Sequence, residues 1–240
     1  MTASLADIWV YLAASPLLSL TMTLVAFQGA QWLYRRTGSP ALLNPVLTTV
    51  IAIVAVLLAT GTSYQTYFQG AQFIHFLLGP ATVSLAIPLY RQFERVRRSA
   101  LALAASLLIG SLTAMGTAVA LGFVMRVDAV SLVSLAPKSV TAPVAMGISE
   151  KLGGLPSLTA VFVIVTGILG GALGPLLLDR LGIRDPAARG FAIGTASHGI
   201  GTARALQESE VAGAFSGLAM GLNALATAVI LPLIWSLLFR

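Results

Sequence analysis

Lys138 stands between two prolines in "SLAPKSVTAPVAMG", residues 134–147, and His198 and Arg204 stand among glycines in "GTASHGIGTAR", residues 194–204. These ionisable groups lie well inside apolar segments of a chain that is 57% hydrophobic and only 9% charged; a soluble domain carries about 25% charged residues. All the acids (Asp7, Glu94, Asp128, Glu150, Asp179, Asp185, Glu208 and Glu210) fall at segment ends or in links. A Lys or Arg at the centre of a membrane helix costs at least about 2.5–3.5 kcal/mol, so it needs a partner or a function. With no acid at mid-depth, Lys138 and Arg204 suit an anionic ligand. Half-helix N-termini beside the prolines would add N–H donors and a positive dipole end.

Hydroxyls at Thr82, Ser139, Thr141, Ser197 and Thr202 are candidate partners for the ligand's polar substituents. On a continuous helix Ser197, Gly201 and Arg204 share one face, and His198 and Thr202 another. A pocket crowded by Gly and Ala fits a short carboxylate better than a nucleotide. Asn44 and Asn223 are polar mid-segment groups that read equally as structural or as substrate-facing. Other readings stay open too. Lys138 could snorkel to an interface. Arg204 could be a helix-end charge paired with Glu208, four residues on. His198 reads either as a hydrogen-bonded packing residue or, from an ordinary pKa near 6.5, as a carrier of a coupled proton.

The elements that must hold these groups are membrane segments. Uncharged runs extend over Thr37–Tyr90, Ser99–Met125, Leu152–Leu178 and Val211–Phe239, each at or above the roughly 20 residues that span a bilayer core as helix. The expected fold is an all-α polytopic membrane protein with about eight hydrophobic segments, near 5–34, 41–60, 71–90, 97–125, 129–149, 156–178, 188–206 and 211–239. The second, fourth, sixth and eighth are uninterrupted. The third, fifth and seventh carry helix breakers: Pro80, then Pro137 and Pro143, then Gly199 and Gly201. Broken backbone at membrane depth is tolerated only where protein or a wet cavity satisfies it. The glycine spacings Gly167/Gly171, Gly170/Gly174 and Gly213/Gly217/Gly221 read as close helix packing in lipid.

The chain also resembles itself. "PVLTTVIAIVAVLL" (45–58) matches "PSLTAVFVIVTGIL" (156–169), and "GPAT" (79–82) matches "GTAS" (194–197). Both matches keep the order intact helix, broken helix, intact helix, which predicts a two-fold repeat with membrane halves 1–125 and 126–240. Eight single crossings would put Arg35, Arg36, Arg91, Arg95, Arg97 and Arg98 on the side opposite Arg180, Arg184 and Arg189, against the positive-inside rule. The conflict disappears if 127–150 makes an even number of passes, such as a hairpin of half-helices turning near Pro137. The halves are then inverted, with broken helices meeting near the midplane, as in secondary transporters.

Several classes are excluded or unsupported. The chain has no cysteine, so disulfides and thiolate metal sites are out, and no metal or cofactor is expected. No HExxH, P-loop or Gx-Ser-xG pattern occurs, and "GIGTAR" lacks the third glycine of a dinucleotide loop. An enzyme is not expected. The net charge of +6 sits in short loops ("LYRR", "RQFERVRR", "DRLGIRDPAAR"), which marks membrane topology rather than a nucleic-acid surface. The first 34 residues lack the basic start and cleavage site of a signal peptide.

"YRRTGSPALLNPVL", "LLGPATVSLAIPLYRQ", "LAPKSVTAPVAMGISEKLGGLPSLTAVFVIVTGILGG" and "GTASHGIGTARALQESEVAGAFSGLAMGL" together resemble the LrgB/CidB family of bacterial inner-membrane proteins, from about residue 15 to the end. The resemblance implies one of two functions. One is secondary transport of small 2-hydroxy or 2-oxo monocarboxylates of the glycolate, glycerate, pyruvate or lactate type, with His198 as the candidate for proton coupling. A chloroplast glycolate/glycerate translocator carries an LrgB-like half. The other is antiholin-like control of murein hydrolase activity and autolysis. Either way it implies a separately encoded LrgA/CidA-like small membrane partner. The expected surroundings are the lipid bilayer of the inner membrane and other copies of the chain in a homo-oligomer.

Overall fold

The computed structural model describes residues 16–38, 43–84 and 86–238; the start of the first expected segment, with Asp7, lies outside them. Every regular element among the described residues is a helix. In chain order they are α1 (Pro16–Arg36), α2 (Pro45–Thr60), α3 (Tyr64–Ser84), α4 (Ala86–Arg91), α5 (Phe93–Arg98), α6 (Ala100–Val124), α7 (Ala129–Leu135), α8 (Ala142–Lys151), α9 (Pro156–Arg180), α10 (Pro186–Glu208) and α11 (Glu210–Leu238). Local chemistry sets many of the starts. Pro occupies the first turn of α2, α8, α9 and α10, where its missing N–H costs nothing. Asn44, Asp128 and Asp185 cap α2, α7 and α10 through their side-chain oxygens.

The chain forms two compact units, Met1–Ser84 and Leu85–Arg240. In the first, α1 packs on α2 and α3, and Thr23 Oγ1 lies 2.8 Å from the Tyr67 hydroxyl of α3. α3 runs through Pro80 to Ser84, so Pro80 sits inside the helix.

The second unit contains the three described helices long and apolar enough to span a membrane: α6, α9 and α11. Twenty-five residues of α6 make a rod of about 37 Å, against a hydrocarbon core of about 30 Å. Leu101, Ile109, Leu121, Val161, Leu173, Leu225 and Leu233 stay exposed on these helices. Such a face is stable in lipid and poorly so in water.

Ion pairs fix which ends of these helices lie together. Arg95 meets Asp185 at 2.5 Å, Arg91 meets Glu210 at 2.8 Å, and Arg189 meets Asp179 at 2.6 Å and Glu208 at 3.0 Å. Residues 91–98, 179–189 and 208–210 therefore share one end of the unit. α6 leads away from that end and α9 returns to it. Between them α7 and α8 form a hairpin that turns at 136–141, around the fully buried Pro137. Pro143 opens α8 rather than interrupting a helix.

α10 is a hairpin as well. His198 has φ 42° and ψ −137°, outside helical values, and the arms 186–197 and 199–208 fold back on each other. A straight helix would separate Arg189 from Glu208 by about 28 Å; they are hydrogen-bonded at 3.0 Å. Gly201 permits the fold-back, since a Cβ there would lie 2.5 Å from Ser197 Cβ and 2.9 Å from Ile193 Cγ2. The first arm runs beside α11 with unusually close backbones. A Cβ on Gly190 would meet Ala212 O at 2.0 Å, and one on Gly194 would meet Ser216 O at 2.2 Å. Where lipid replaces water, this kind of small-residue contact supplies the packing energy.

Candidate functional site

The two hairpins of the second unit meet at Asn223, near the middle of α11. Its side chain is 1% exposed, and Nδ2 donates to Ser139 O at 3.3 Å and to Thr195 O at 2.9 Å. Both carbonyls need a donor for the same reason. Ser139 lies in the turn between α7 and α8. Thr195 lies one turn before the break at His198, where the normal i+4 donor is displaced. Asn223 thus supplies the protein partner that broken backbone requires inside a membrane. Its Oδ1 is buried with no partner of its own.

Lys138 sits at the tip of the α7–α8 hairpin, half-buried, with Nζ donating to Ser139 Oγ at 3.3 Å. None of the ion pairs in the described residues includes it. Thr141 takes the N-cap position of α8 without a side-chain hydrogen bond. His198 is 5% exposed, and its Nε2 lies 2.9 Å from Val163 O of α9, in space left by Gly167. Ser197 is buried against Gly170 of α9. Thr202 is fully engaged: Oγ1 donates to His198 O at 2.9 Å and lies 2.9 Å from Ser216 Oγ. These contacts place Ser197, His198 and Thr202 in the packing of the hairpin.

Other candidates are not gathered at the tips. Arg204 lies on the outgoing arm of α10, half-buried, and donates to Gln207 Oε1 at 3.3 Å. The expected pairing with Glu208 is replaced, because Glu208 binds Arg189. Asn44 belongs to the first unit and acts as the cap of α2, its Oδ1 accepting from Val46 and Leu47. Pro80 also belongs to that unit. The side chain of Thr82 lies outside the described residues. Gly199, next to the break, is open, with only Met220 Sδ near at 3.8 Å.

A groove of about 620 Å³ approaches the tips from the charged end. Its mouth holds Arg95, Ser99 and Asp185, and its walls include Ser106, Gly110 and Ala114 of α6 and Ala188, Ala192 and Thr195 of α10. Ala114 also lines a second, far smaller void, with Ser111, Ser139, Asn223 and Thr227. Lys138 lines neither. At the mouth, the Ala188 amide and then the Arg95 guanidinium hold the Asp185 carboxyl below its ordinary value. Arg189 is 13% exposed; Glu208 first and Asp179 second hold its guanidinium above the usual value. Sequence reasoning missed this clasp, the Gly190/Gly194 contact and the bridging role of Asn223. The clasp joins the end of α9 to both arms of α10, residues 10 and 19 positions apart that no local pattern brings together. The glycine spacing Gly190-xxx-Gly194 was a legible signal.

The LrgB-like family matches residues 23–237. The chain is 39% identical to "Uncharacterized protein YxaC" of Bacillus subtilis over 92% of its length and 96% of the relative's. It is 35% identical to "Holin-like protein CidB" of Staphylococcus epidermidis, covering 90% of the chain and 94% of that protein. The "Holin-like protein CidB" of Staphylococcus aureus is also 35% identical, over 91% and 95%. No solved structure matches.

Proposed function

The chain belongs to the LrgB-like family, and on that premise we propose that it is an antiholin-like, multi-pass protein of the bacterial inner membrane that acts with a small LrgA/CidA-like membrane partner. The observation that carries this reading is the likeness to two proteins named holin-like CidB over nine-tenths of the chain. The three apolar helices and their exposed leucines agree with the location. The test is autolysis of cells lacking the gene, measured as loss of turbidity after a lysis stimulus. Complementation by the chain together with its partner should restore the parental rate, and complementation by neither would remove the reading.

One structural observation favours a second reading, a carrier of short monocarboxylates. The hairpin α7–α8 enters from one end of the second unit and the hairpin α10 from the other, each followed by a spanning helix. This arrangement supports reading residues 129–180 and 186–238 as an inverted pair, as does an offset of 60 residues that sets Ala136, Lys138, Ala145 and Ser149–Glu150 against Ala196, His198, Ala205 and Ser209–Glu210. The longer repeat of halves 1–125 and 126–240 rests on Pro45 and Pro156, each opening a helix within the matched stretches. Opposed hairpins with small residues, a cation and no acid at the tips suit an anion that crosses at mid-depth. Lys138 would attract the carboxylate, with Ser139 and Asn223 beside it. Uptake of labelled glycolate, glycerate, pyruvate and lactate into liposomes containing the chain tests this. Saturable uptake that is lost in Lys138→Ala supports the carrier. Silence with the LrgA-like partner also present leaves the antiholin-like reading alone.

A further inference from the structure

Asn223 has both N–H groups in use and its carbonyl oxygen free. The two acceptors belong to different hairpins, which enter from opposite ends. They also fix how the amide is turned: rotated by half a turn, Oδ1 would face two carbonyl oxygens and find no proton. Beyond this contact lies the small void lined by Ser111, Ala136, Ser139 and Thr227, too narrow to hold a water molecule. On the near side, the groove from the Arg95–Asp185 mouth ends at Ala114 and Thr195. Ala114 lines both spaces. The groove from the charged end therefore reaches the middle of the unit beside Thr195, whose carbonyl Asn223 holds, and it shares Ala114 with the void that Asn223 lines.

We propose that Asn223 is a latch. Its two hydrogen bonds hold both hairpin tips against α11 and seal the groove from the void beyond; rotation of this one side chain releases both tips and opens a route for a small solute. The inference rests on the carrier reading and gives that site its gate. Each tip keeps other anchors that survive release: Val163 for His198, and the arms of α7 and α8 for Ser139. Oδ1 lacks a hydrogen bond when the latch is closed and gains one from water or solute when the tips part, so the closed arrangement is poised rather than locked.

The chain has no cysteine, so one introduced thiol is a unique reporter. S106C places it in the groove and T227C in the sealed void. The full chain is reconstituted in liposomes and exposed to a membrane-impermeant maleimide. S106C should react quickly in every background. T227C should react slowly alone and at least ten-fold faster when combined with Asn223→Ala. To separate release from unfolding of the tips, the isosteric Asn223→Asp, which loses the donor pair, is measured beside it, with size-exclusion profiles for both. Equal reactivity of T227C and S106C in the parent protein overturns the seal. Continued protection of T227C in a folded Asn223 variant overturns the latch. Failure of both variants to fold makes Asn223 a structural anchor and overturns it too. Labelling needs no substrate, so the two claims fail separately. A gated thiol without uptake removes the carrier and keeps the latch, and uptake with an ungated thiol does the reverse.

Discussion

At the residue scale, backbone contact rather than side-chain chemistry decides where this protein tolerates change. Gly190 and Gly194 lie against backbone atoms of α11, which cannot rotate away. Gly147, in α8, faces open space. Gly190→Ala should therefore destabilise the protein by about 1–3 kcal/mol through overpacking, while Gly147→Ala should be neutral or stabilising by up to about 1 kcal/mol through helix propensity. Thermal unfolding of the two variants in one detergent checks the contrast, and equal midpoints would show that the α10–α11 contact is looser than drawn. Spacing identified part of this: Gly167 and Gly170 of the expected packing glycines do leave room for His198 and Ser197. Gly221, in the same expectation, meets nothing within 4 Å. A spacing of four places glycines on one face of a helix but does not say which face has a neighbour.

At the element scale, the α10 hairpin depends on the clasp at its base. Arg189 ties the incoming arm to Glu208 on the outgoing one and to Asp179 at the end of α9, and it also donates to Ile183 O at 3.0 Å. Glu208 is 18% exposed, so removing the guanidinium leaves a carboxylate with little water. Arg189→Met should cost roughly 2–4 kcal/mol, below the 3–5 kcal/mol of a fully buried pair because Asp179 is exposed. Arg97→Met, whose contact to Glu94 is long and exposed, should change stability by less than about 1 kcal/mol. Urea or thermal unfolding of both variants is the measurement; similar losses would mean that the clasp adds nothing beyond surface charge. The sequence marked this segment as broken but not as folded back. Gly199 and Gly201 weaken a helix wherever they occur, while the direction taken after His198 depends on α9 and α11 offering Val163, Gly170 and Ser216 as contacts.

For the second unit taken whole, the ion pairs and the three apolar helices give a topology. Arg91, Arg95, Arg97, Arg98, Arg180, Arg184 and Arg189 gather toward one end, and Arg126, after α6, and Lys151, at the end of α8, lie at the other. The positive-inside rule predicts that the arginine-rich end faces the cytoplasm. Single cysteines at Arg97 and Arg184 should label only after the cell is opened, and one at Lys151 should label in intact spheroplasts. A split between positions 97 and 184 would overturn the hairpin reading of α7–α8, because it requires an odd number of passes between them.

Composition alone determined that this is a helical membrane chain, since no aqueous fold leaves so few charges to face water, and the proline and glycine clusters marked two of the places where helices give way. Loop charge favoured an even number of passes over residues 127–150, for instance a hairpin near Pro137, and α7 and α8 do turn at 136–141. What the tertiary structure decided was which polar groups meet. Lys138 and Arg204 looked alike in sequence, yet one stands at a hairpin tip and the other on an arm beside Gln207. Asn223 looked like one more mid-helix amide until two carbonyls, orphaned by breaks 84 and 28 residues away, arrived at its N–H groups. A hydrogen bond of that kind leaves no local trace, because its partners are chosen by packing in three dimensions and not by spacing along the chain.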